Sequence, residues 1–287
     1  MKAKTAVTAE SDRQAIAAPD AITTTPAAEI QALSGDPNFM MSLARGLAVI
    51  RAFSQQRQRL SIAQISHKTG IPRAAVRRCL HTLAQLGYVT SDHGRSFSLQ
   101  PKILALGHAY LSSTPLATSA QPLLDRLSSI VHESCSIGLL EGGDVLYIAR
   151  SAMTTRIMSV DLGIGSRLPA YCTSMGHVLL AALPPGELET YLERVKLTRF
   201  TNRTVTSPEQ LKAVLEAVRR TGYAVVDQEL EIGLRSIAVP VKDMAGKVVA
   251  VLNIAAQATR VSVADMEAKF LPHLRATAQE LSMLLLP

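Results

Sequence analysis

Hydrophobic residues between positions 61 and 87 repeat at helical spacing in two short blocks. Ser61 and Gln64 form the S-x-x-Q capping box that starts a helix. Gly70 can take the left-handed conformation that ends a helix, and Pro72 suits the first position of the next one. The apolar stripes are Ile62, Ile65 and Thr69 in the first block, and Val76, Cys79, Leu80, Leu83 and Leu86 in the second. The pattern predicts two helices joined by a tight turn of three or four residues.

The opposite face of the second helix carries long polar side chains. At about 100° per residue, this face presents Ala74, Arg77, Arg78, His81 and Gln85, with Arg73 near its N-terminal edge. Arginine reaches phosphates and the acceptor edges of guanine in a major groove. We therefore predict a recognition helix for double-stranded operator DNA. The alternative is an ordinary solvated helix pair.

The distribution of charge separates these two interpretations. The chain of 287 residues has a formal net charge of +7. Residues 41 to 110 hold ten Lys and Arg but one acid, Asp92, whereas residues 111 to 287 hold seventeen of each sign. A solvated face normally mixes signs, while a patch of one sign attracts a polyanion. The charge pattern therefore favours nucleic-acid binding.

The flanking segments complete a winged helix-turn-helix domain, which we place at residues 39 to 100. Residues 42 to 53 predict a preceding helix whose stripe is Leu43, Leu47, Ile50 and Phe53. Residues 88 to 90 and 96 to 99 predict two strands around a loop with Gly94, which form the wing. The candidate DNA contacts are Arg45, Ser61, Arg73, Ala74, Arg77, Arg78, His81, Gln85 and Arg95.

Two segments connect to this domain without belonging to it. Residues 1 to 38 are rich in Ala, Thr, Pro and Ser and predict a disordered tail, because they offer little apolar surface to bury. Residues 101 to 113 predict a linker helix whose apolar side chains, Leu104, Leu106 and Leu111, have little to pack on within the chain. Pairing with a second copy would bury them, so we expect a homodimer or homotetramer.

Residues 114 to 287 predict a mixed domain in the element order β-β-β-α-α-α-β-β-β-α, with the third strand at Arg156 to Asp161. This order favours an α+β domain with one antiparallel sheet and helices packed on it. The segment from Tyr171 to Gly176 brings the hydroxyls of Thr173 and Ser174 to a helix start, where free N–H groups favour a carboxylate. Four arginines lie near strand ends and could pair with an acid: Arg150, Arg156, Arg167 and Arg235. The alternative is that the hydroxyls cap the helix and the arginines meet nearby acids.

Four blocks of the chain resemble the isocitrate lyase regulator (IclR) family of bacterial transcription factors: SLARGLAVIRAF, TGIPRAAVRRCLHTL, GSRLPAYCTSMGHVLLA and TGYAVVDQELEIGLRSIAVPV. Within the family, the chain looks most like the branch that regulates protocatechuate and β-ketoadipate catabolism. The similarity runs from about Asp36 to the C-terminus. It implies a winged helix-turn-helix, a dimerising linker helix and a GAF-like effector-binding domain.

The resemblance also implies an effector and its pocket. The effector would be a small carboxylic acid, β-ketoadipate or protocatechuate, and RNA polymerase is a further partner that such a regulator permits. Ser236 stands where some relatives have cysteine, and Met175 where some have alanine, so this pocket need not accept their small keto acids. Carried onto this sequence, the pocket residues are Ile157, Val160, Leu168, Ser174, Met175, Asp227, Leu234 and Ser236.

Two other functions compete with a regulator. Cys172 and His177 are close enough in sequence to suggest a thiol enzyme, although no third group orients them and no nucleotide-binding or protease motif is present. A DNA-binding protein without sequence preference would explain the basic segment but not the second domain. Three widely spaced cysteines suggest neither a disulfide framework nor a metal site, and we expect no metal and no cofactor. No apolar run is long enough to span a membrane, so we expect a cytoplasmic protein.

Overall fold

A computed structural model describes residues 25–54, 57–151 and 162–285. The described chain forms an N-terminal helical domain with a small hairpin, two consecutive helices, and an α+β domain around a six-stranded sheet. This confirms the predicted fold class. No helix among the described residues is both long and apolar enough to cross a bilayer.

The first helix corrects the predicted disordered tail. Helix α1 spans Pro26–Ala32, inside the segment expected to be disordered to residue 38. Thr25 caps it by accepting a hydrogen bond from the Ala28 amide at 3.3 Å. Ile30 is buried against the helical domain, so one large apolar residue anchors this short helix. A composition-based expectation averages over 38 residues and misses such an anchor.

The next elements form the winged helix-turn-helix. Helices α2 (Met41–Arg51), α3 (Ile62–Thr69) and α4 (Arg73–Gln85) precede strands β1 (Val89–Asp92) and β2 (Ser96–Leu99). The capping box at Ser61 is confirmed, as is the left-handed Gly70, whose φ is 74°. Pro72 is the N-cap of α4 rather than its first residue. The turn therefore has three residues, within the predicted length.

Half of the predicted stripe of the preceding helix is correct, because Ile50 and Phe53 pack against the core of this domain. Leu43 and Leu47 are 57% and 49% exposed, whereas Ala48 and Val49 are buried. Leu86, predicted to be buried at the end of α4, is also 52% exposed. The small residues of α2 allow close approach to α4, and the larger leucines are left on an outer surface.

The wing includes a third short segment that the sequence did not reveal. Strands β1 and β2 pair antiparallel from Val89 opposite Leu99 to Asp92 opposite Ser96. Leu60, just before α3, forms an isolated bridge with Phe97 of β2. Gly94 in the loop has a φ of 72°, as the hairpin prediction requires. The bridge ties the wing to the start of the helix-turn-helix.

Two helices lead from the wing to the second domain. A single turn at Pro101–Ile103 is followed by α5 (Leu104–Ser113) and α6 (Pro115–Val131). Only Thr114 separates α5 from α6, and its backbone is extended, with φ −105° and ψ 111°. The predicted linker helix is thus joined end to end with a helix of the second domain.

The second domain contains one antiparallel sheet with strand order β5-β4-β3-β8-β7-β6. The strands are β3 (Ser134–Glu141), β4 (Asp144–Ser151), β5 (Arg167–Pro169), β6 (Ala224–Asp227), β7 (Leu234–Lys242) and β8 (Val248–Gln257). The third described strand is therefore Arg167–Pro169, and the strand predicted at residues 156 to 161 lies outside the described residues.

Helices cover both faces of this sheet. Helix α6 packs on one face together with the C-terminal segment, which consists of α10 (Val263–Asp265), a π-helical turn (Met266–Phe270) and α11 (Leu271–Met283). The other face carries α7 (Ser174–Ala181), α8 (Pro185–Arg194) and α9 (Pro208–Thr221). The two apolar cores lie on opposite sides of the sheet, because alternate residues of a strand point to opposite faces.

Candidate functional site

The recognition helix presents its polar face to solvent. Val76, Leu80 and Leu83 are buried in the core of the helical domain. All six residues predicted on the outer face are exposed: Arg73, Ala74, Arg77, Arg78, His81 and Gln85. The helical pattern therefore gave the correct rotation of α4, and its cationic side chains are free to meet a groove of DNA.

The other predicted DNA contacts lie around this helix. Arg95 is exposed in the wing loop, while Arg45 on α2 and Ser61 at the start of α3 are half-buried. Arg45 borders a groove that also contains Arg78 of the recognition helix. Arg59 was not predicted, but its guanidinium lies 3.8 Å from the carboxylate of Asp92 in the wing. It was missed because the sequence pattern did not show that residues 57 to 60 join the wing.

A cavity lies in the second domain between the sheet and the segments that precede α7 and β7. Its volume is about 30 Å³, enough for one or two water molecules. Sixteen described residues line it: Ser134, Ser136, Tyr147, Arg150, Leu162, Leu168, Cys172, Thr173, Ser174, Met175, Val226, Leu230, Leu234, Ser236, Asn253 and Ala255. Of these described residues, Arg150 is the only charged one.

Four of the lining residues have a buried polar atom without a hydrogen-bond partner in the described part of the chain. These atoms are Ser134 Oγ, Arg150 Nε, Ser174 Oγ and Asn253 Oδ1. A buried polar group without a partner costs about 1 to 3 kcal/mol. Their concentration around one cavity makes it the candidate site for a polar ligand.

The strand register brings these polar side chains together. Ser136 on β3 lies opposite Arg150 on β4 and opposite Asn253 on β8. In the next row, Ser134 and Ser236 both lie opposite Ala255. Neighbouring strands are about 4.8 Å apart, so the rows form a compact polar floor on one face of the sheet.

The structure places five of the predicted effector-pocket residues around this cavity: Leu168, Ser174, Met175, Leu234 and Ser236. Ile157 and Val160 lie outside the described residues. Asp227 is not among the described residues that line this cavity, and its carboxylate is held by Arg235 at 2.6 Å and by Arg203. Burial raises the pKa of Asp227, but hydrogen bonds from Arg235 and Gln228 outweigh it and leave the pKa below its ordinary value.

The four candidate arginines have different surroundings. Arg150 lines the cavity, and its Nη1 donates to the main-chain carbonyl of Leu162 at 2.6 Å. Arg167 instead pairs with Glu141 and Asp144 at the tip of the β3–β4 hairpin. Arg235 is held by Asp227 and by main-chain carbonyls, and Arg156 lies outside the described residues. Arg150 is therefore the candidate that faces the cavity.

The two hydroxyls at the start of α7 have different surroundings, and one of them has the predicted capping role. Thr173 is the N-cap, since its Oγ1 accepts from the Gly176 amide at 3.1 Å and donates to the Pro169 carbonyl. Ser174 lines the cavity with an unpartnered hydroxyl. Thr173 is thus used by the helix, and Ser174 remains available.

Cys172 and His177 do not form a catalytic pair. His177 Nε2 lies 2.7 Å from the main-chain carbonyl oxygen of Tyr171, and burial lowers its pKa to about 4. Burial raises the pKa of the Cys172 thiol well above its ordinary value, which suppresses the thiolate that a nucleophile requires. The described residues also hold no group of three or more His, Cys, Asp or Glu that could bind a metal.

Sequence reasoning missed the polar floor of the cavity. Ser134, Ser136, Tyr147 and Asn253 lie within hydrophobic strands and were not among the predicted pocket residues. The sequence feature that indicates this floor is the pair of serines at alternate positions of β3. Ser134 and Ser136 lie on the same face of the strand because they are two residues apart. Only the pairing of β3 with β8 shows that Asn253 joins them.

Comparison with known proteins agrees with this arrangement of two domains. Residues 42–93 match the IclR helix-turn-helix domain, and residues 108–283 match the C-terminal domain of the bacterial transcriptional regulator IclR. The chain is 59% identical over 260 residues to the Pca regulon regulatory protein of Pseudomonas putida, covering 91% of this chain and 89% of that protein.

Solved structures show the same fold. An IclR family transcriptional regulator from Brucella abortus superposes with a TM-score of 0.73 at 29% identity, covering 88% of this chain and 94% of that one. An IclR homolog from Microbacterium hydrocarbonoxydans, complexed with 4-hydroxybenzoate, gives 0.69 at 25% identity, covering 85% and 98%. The described architecture, the family matches and the full-length relative agree, and the chain belongs to the IclR family of bacterial transcriptional regulators.

Proposed function

We propose that this regulator binds operator DNA through α4 and controls aromatic-acid catabolism by the β-ketoadipate pathway in response to a small carboxylic acid bound in the cavity. β-Ketoadipate and protocatechuate are the two candidate effectors. The cluster of unpartnered polar atoms around Arg150 carries the proposal, because it gives the second domain a site suited to an acid. The similarity to the Pca regulon regulatory protein supports the choice of pathway.

The surface of the helical domain supports sequence-specific contact with a duplex. Arg77 and Arg78 extend from the exposed face of α4, whose other face is fixed in the core by Val76 and Leu80. A rigid helix positions side chains for base edges better than a mobile tail does. Arg95 in the wing and Arg45 on α2 add positive charge on either side, suited to backbone phosphates.

The cavity supports an anionic effector with further polar groups. A carboxylate beside Arg150 would accept the Nε hydrogen that has no partner, and charge-assisted hydrogen bonds of this kind are the strong ones. Ser134, Ser174 and Asn253 would meet a second polar end, either a carboxylate or phenolic hydroxyls. Leu168, Leu230 and Leu234 supply the apolar walls.

The small cavity connects binding to a change of shape. A six- or seven-carbon acid is much larger than the space of about 30 Å³, and pockets that bury ligands typically hold about 300 Å³ or more. In this proposal the lining segments move apart when the acid binds. An acid that favours the opened arrangement shifts the population toward it, and this is the linkage a regulator needs.

A dimer or tetramer is proposed from the apolar groove of the helical domain. Leu43, Leu47, Leu86 and Leu106 are each about half exposed, and all four line a groove of about 550 Å³ beside the recognition helix. Apolar patches of this kind mark protein interfaces. A second copy that packs on these leucines and leaves Arg45 and Arg78 of the groove open to DNA would set the spacing between two recognition helices, as a palindromic operator requires.

The proposal is tested by two titrations on the full chain. Labelled operator, recovered by selection from random duplexes, should stay bound in a large excess of unrelated DNA. Calorimetry with β-ketoadipate and with protocatechuate should give saturable binding of one of them. Ser174→Leu and Ser236→Leu should lose this binding but keep the operator. Equal displacement by unrelated DNA, or no heat with either acid, would contradict the proposal.

A further inference from the structure

A hydrogen bond connects the effector cavity to the helix that continues the linker. Gln121 on α6 donates from Nε2 to the main-chain carbonyl of Arg150 at 3.2 Å. The same amide donates to Asp125 Oδ1 at 2.8 Å, one turn further along α6, which fixes its rotamer. Gln121 is partly buried, so water competes weakly for this contact.

Arg150 connects this hydrogen bond with the cavity. Its side chain lines the cavity, its Nη1 holds the Leu162 carbonyl, and its Nε is unpartnered. A carboxylate that pairs with the guanidinium would contact the side chain of Arg150, whose main-chain carbonyl accepts the hydrogen bond from Gln121. Movement of β4 at this position therefore reaches α6 through this amide, in addition to the apolar core that the two elements share.

Helix α6 is able to bend where Gln121 contacts the sheet. Pro122 lies inside the helix and follows Gln121 directly. Proline has no N–H, so the helix loses a main-chain hydrogen bond at this point and bends more easily there. Leu116 and Ala120 in the first half of α6 and Leu124 and Leu127 in the second half are buried in the same core. The first half therefore follows β4, which Gln121 contacts, and Pro122 allows its angle to the second half to change.

A change of tilt in this first half reaches the DNA-binding domain directly. Thr114 alone joins α6 to α5, and α5 follows the wing after one helical turn. An α-helix extends about 1.5 Å per residue. A small rotation near Pro122 therefore displaces the far end of α5 by a larger distance. The direction of the recognition helices in an assembly depends on this end.

We propose that Gln121 is a positioning residue that couples effector binding at Arg150 to the tilt of the linker helices. The inference rests on the proposed effector site. Gln121 is not among the described residues that line the cavity, and it lies on α6, outside the helix-turn-helix. Its loss should therefore uncouple two binding reactions that both survive.

The test compares Gln121→Leu and Gln121→Glu, which lack the amide donor, with Ser129→Ala. Ser129 is an exposed residue of the same helix whose hydroxyl bonds only to the Arg126 carbonyl among the described contacts. Operator affinity is measured by fluorescence anisotropy without and with saturating acid, using β-ketoadipate and protocatechuate as probes. Acid affinity is measured separately by calorimetry.

We expect both Gln121 variants to bind the acid within about threefold of the wild type and to lose at least about fivefold of the acid's effect on operator affinity, since allosteric couplings are typically 5- to 150-fold. Ser129→Ala should keep the full effect. A full response in either Gln121 variant overturns the proposal, and so does loss of acid binding together with the response.

Hydrogen exchange on the protein without acid provides a second readout. We expect Gln121→Leu to speed amide exchange in residues 116 to 121 by several-fold, because the hydrogen bond to β4 is lost, whereas Ser129→Ala leaves it unchanged. Equal exchange in the wild type and the Gln121 variant overturns the coupling. A wild type that binds neither acid would contradict the proposed effector alone, since the exchange experiment needs no effector.

Discussion

Replacement of Arg150 by glutamine should weaken effector binding more than any loss of apolar contact in the cavity. The Nη1 of Arg150 is already engaged with the Leu162 carbonyl, and its Nε is buried without a partner. At least one new charge-assisted hydrogen bond to a carboxylate is thus available, worth about 1.5 to 3 kcal/mol. At 1.4 kcal/mol per tenfold, this predicts a rise in Kd of about 10- to 150-fold.

Calorimetric titration of the full chain measures this change, with Arg126→Gln as the matched control. Arg126 is an exposed arginine that pairs with Glu280 at 2.5 Å on the opposite side of the sheet, so its loss removes the same charge without touching the cavity. The control should bind the acid as the wild type does, and both variants should retain operator binding. An Arg150→Gln protein with unchanged acid affinity would refute the assignment of the carboxylate to this guanidinium.

Three further predictions concern DNA binding, packing and pH. Arg77→Ala should weaken operator binding by about 1 to 3 kcal/mol in anisotropy titrations if the side chain reads a base. The control Arg220→Ala, at an exposed position of α9, should leave operator binding unchanged. Gly176→Ala should lower the Tm of the second domain by about 3 to 10 °C in calorimetry, because a Cβ there overlaps the main chain of Ala170; an unchanged Tm would contradict the close packing of α7. Burial raises the pKa of Glu229 from 4.5 to about 7. The contribution of protonated Glu229 to the free energy of unfolding is therefore complete below pH 4.5 and is lost as the pH rises through about 7. Glu229→Gln should remove this loss, of order 3 kcal/mol at most, from urea unfolding curves at pH 5 and pH 8.

The local chemistry of the helix-turn-helix made most of the DNA-binding domain predictable. The capping box at Ser61, the left-handed Gly70 and the apolar stripe of α4 each act within a few residues, so the sequence alone shows them. The burial of Ala48 and Val49 on α2, in place of Leu43 and Leu47, was not predictable in this way. Two leucines outweigh Ala48 and Val49 in any hydrophobicity pattern, yet the smaller pair packs inside because it allows helices to approach closely.

From local sequence patterns, the cavity residues were predictable only where they lie in one short segment. Ser174 and Met175 follow a helix cap that the sequence shows, whereas Asn253 and Arg150 meet Ser136 only through the order of three strands. Strand order is a long-range property, and the hydrophobic pattern of each strand is the same for many orders. The ion pair of Asp227 was not predictable for the same reason, since its partner Arg235 becomes its neighbour through the pairing of β6 with β7.

The most direct test of the regulator mechanism is the operator affinity of one preparation of the full chain, measured by anisotropy without and with saturating acid. We predict that β-ketoadipate or protocatechuate changes the Kd for operator by at least about fivefold, and leaves the much weaker binding to unrelated DNA unchanged. Identical operator affinity with and without each acid would contradict the coupling of the cavity to the recognition helix. Equal affinity for operator and unrelated DNA would contradict sequence-specific reading by α4.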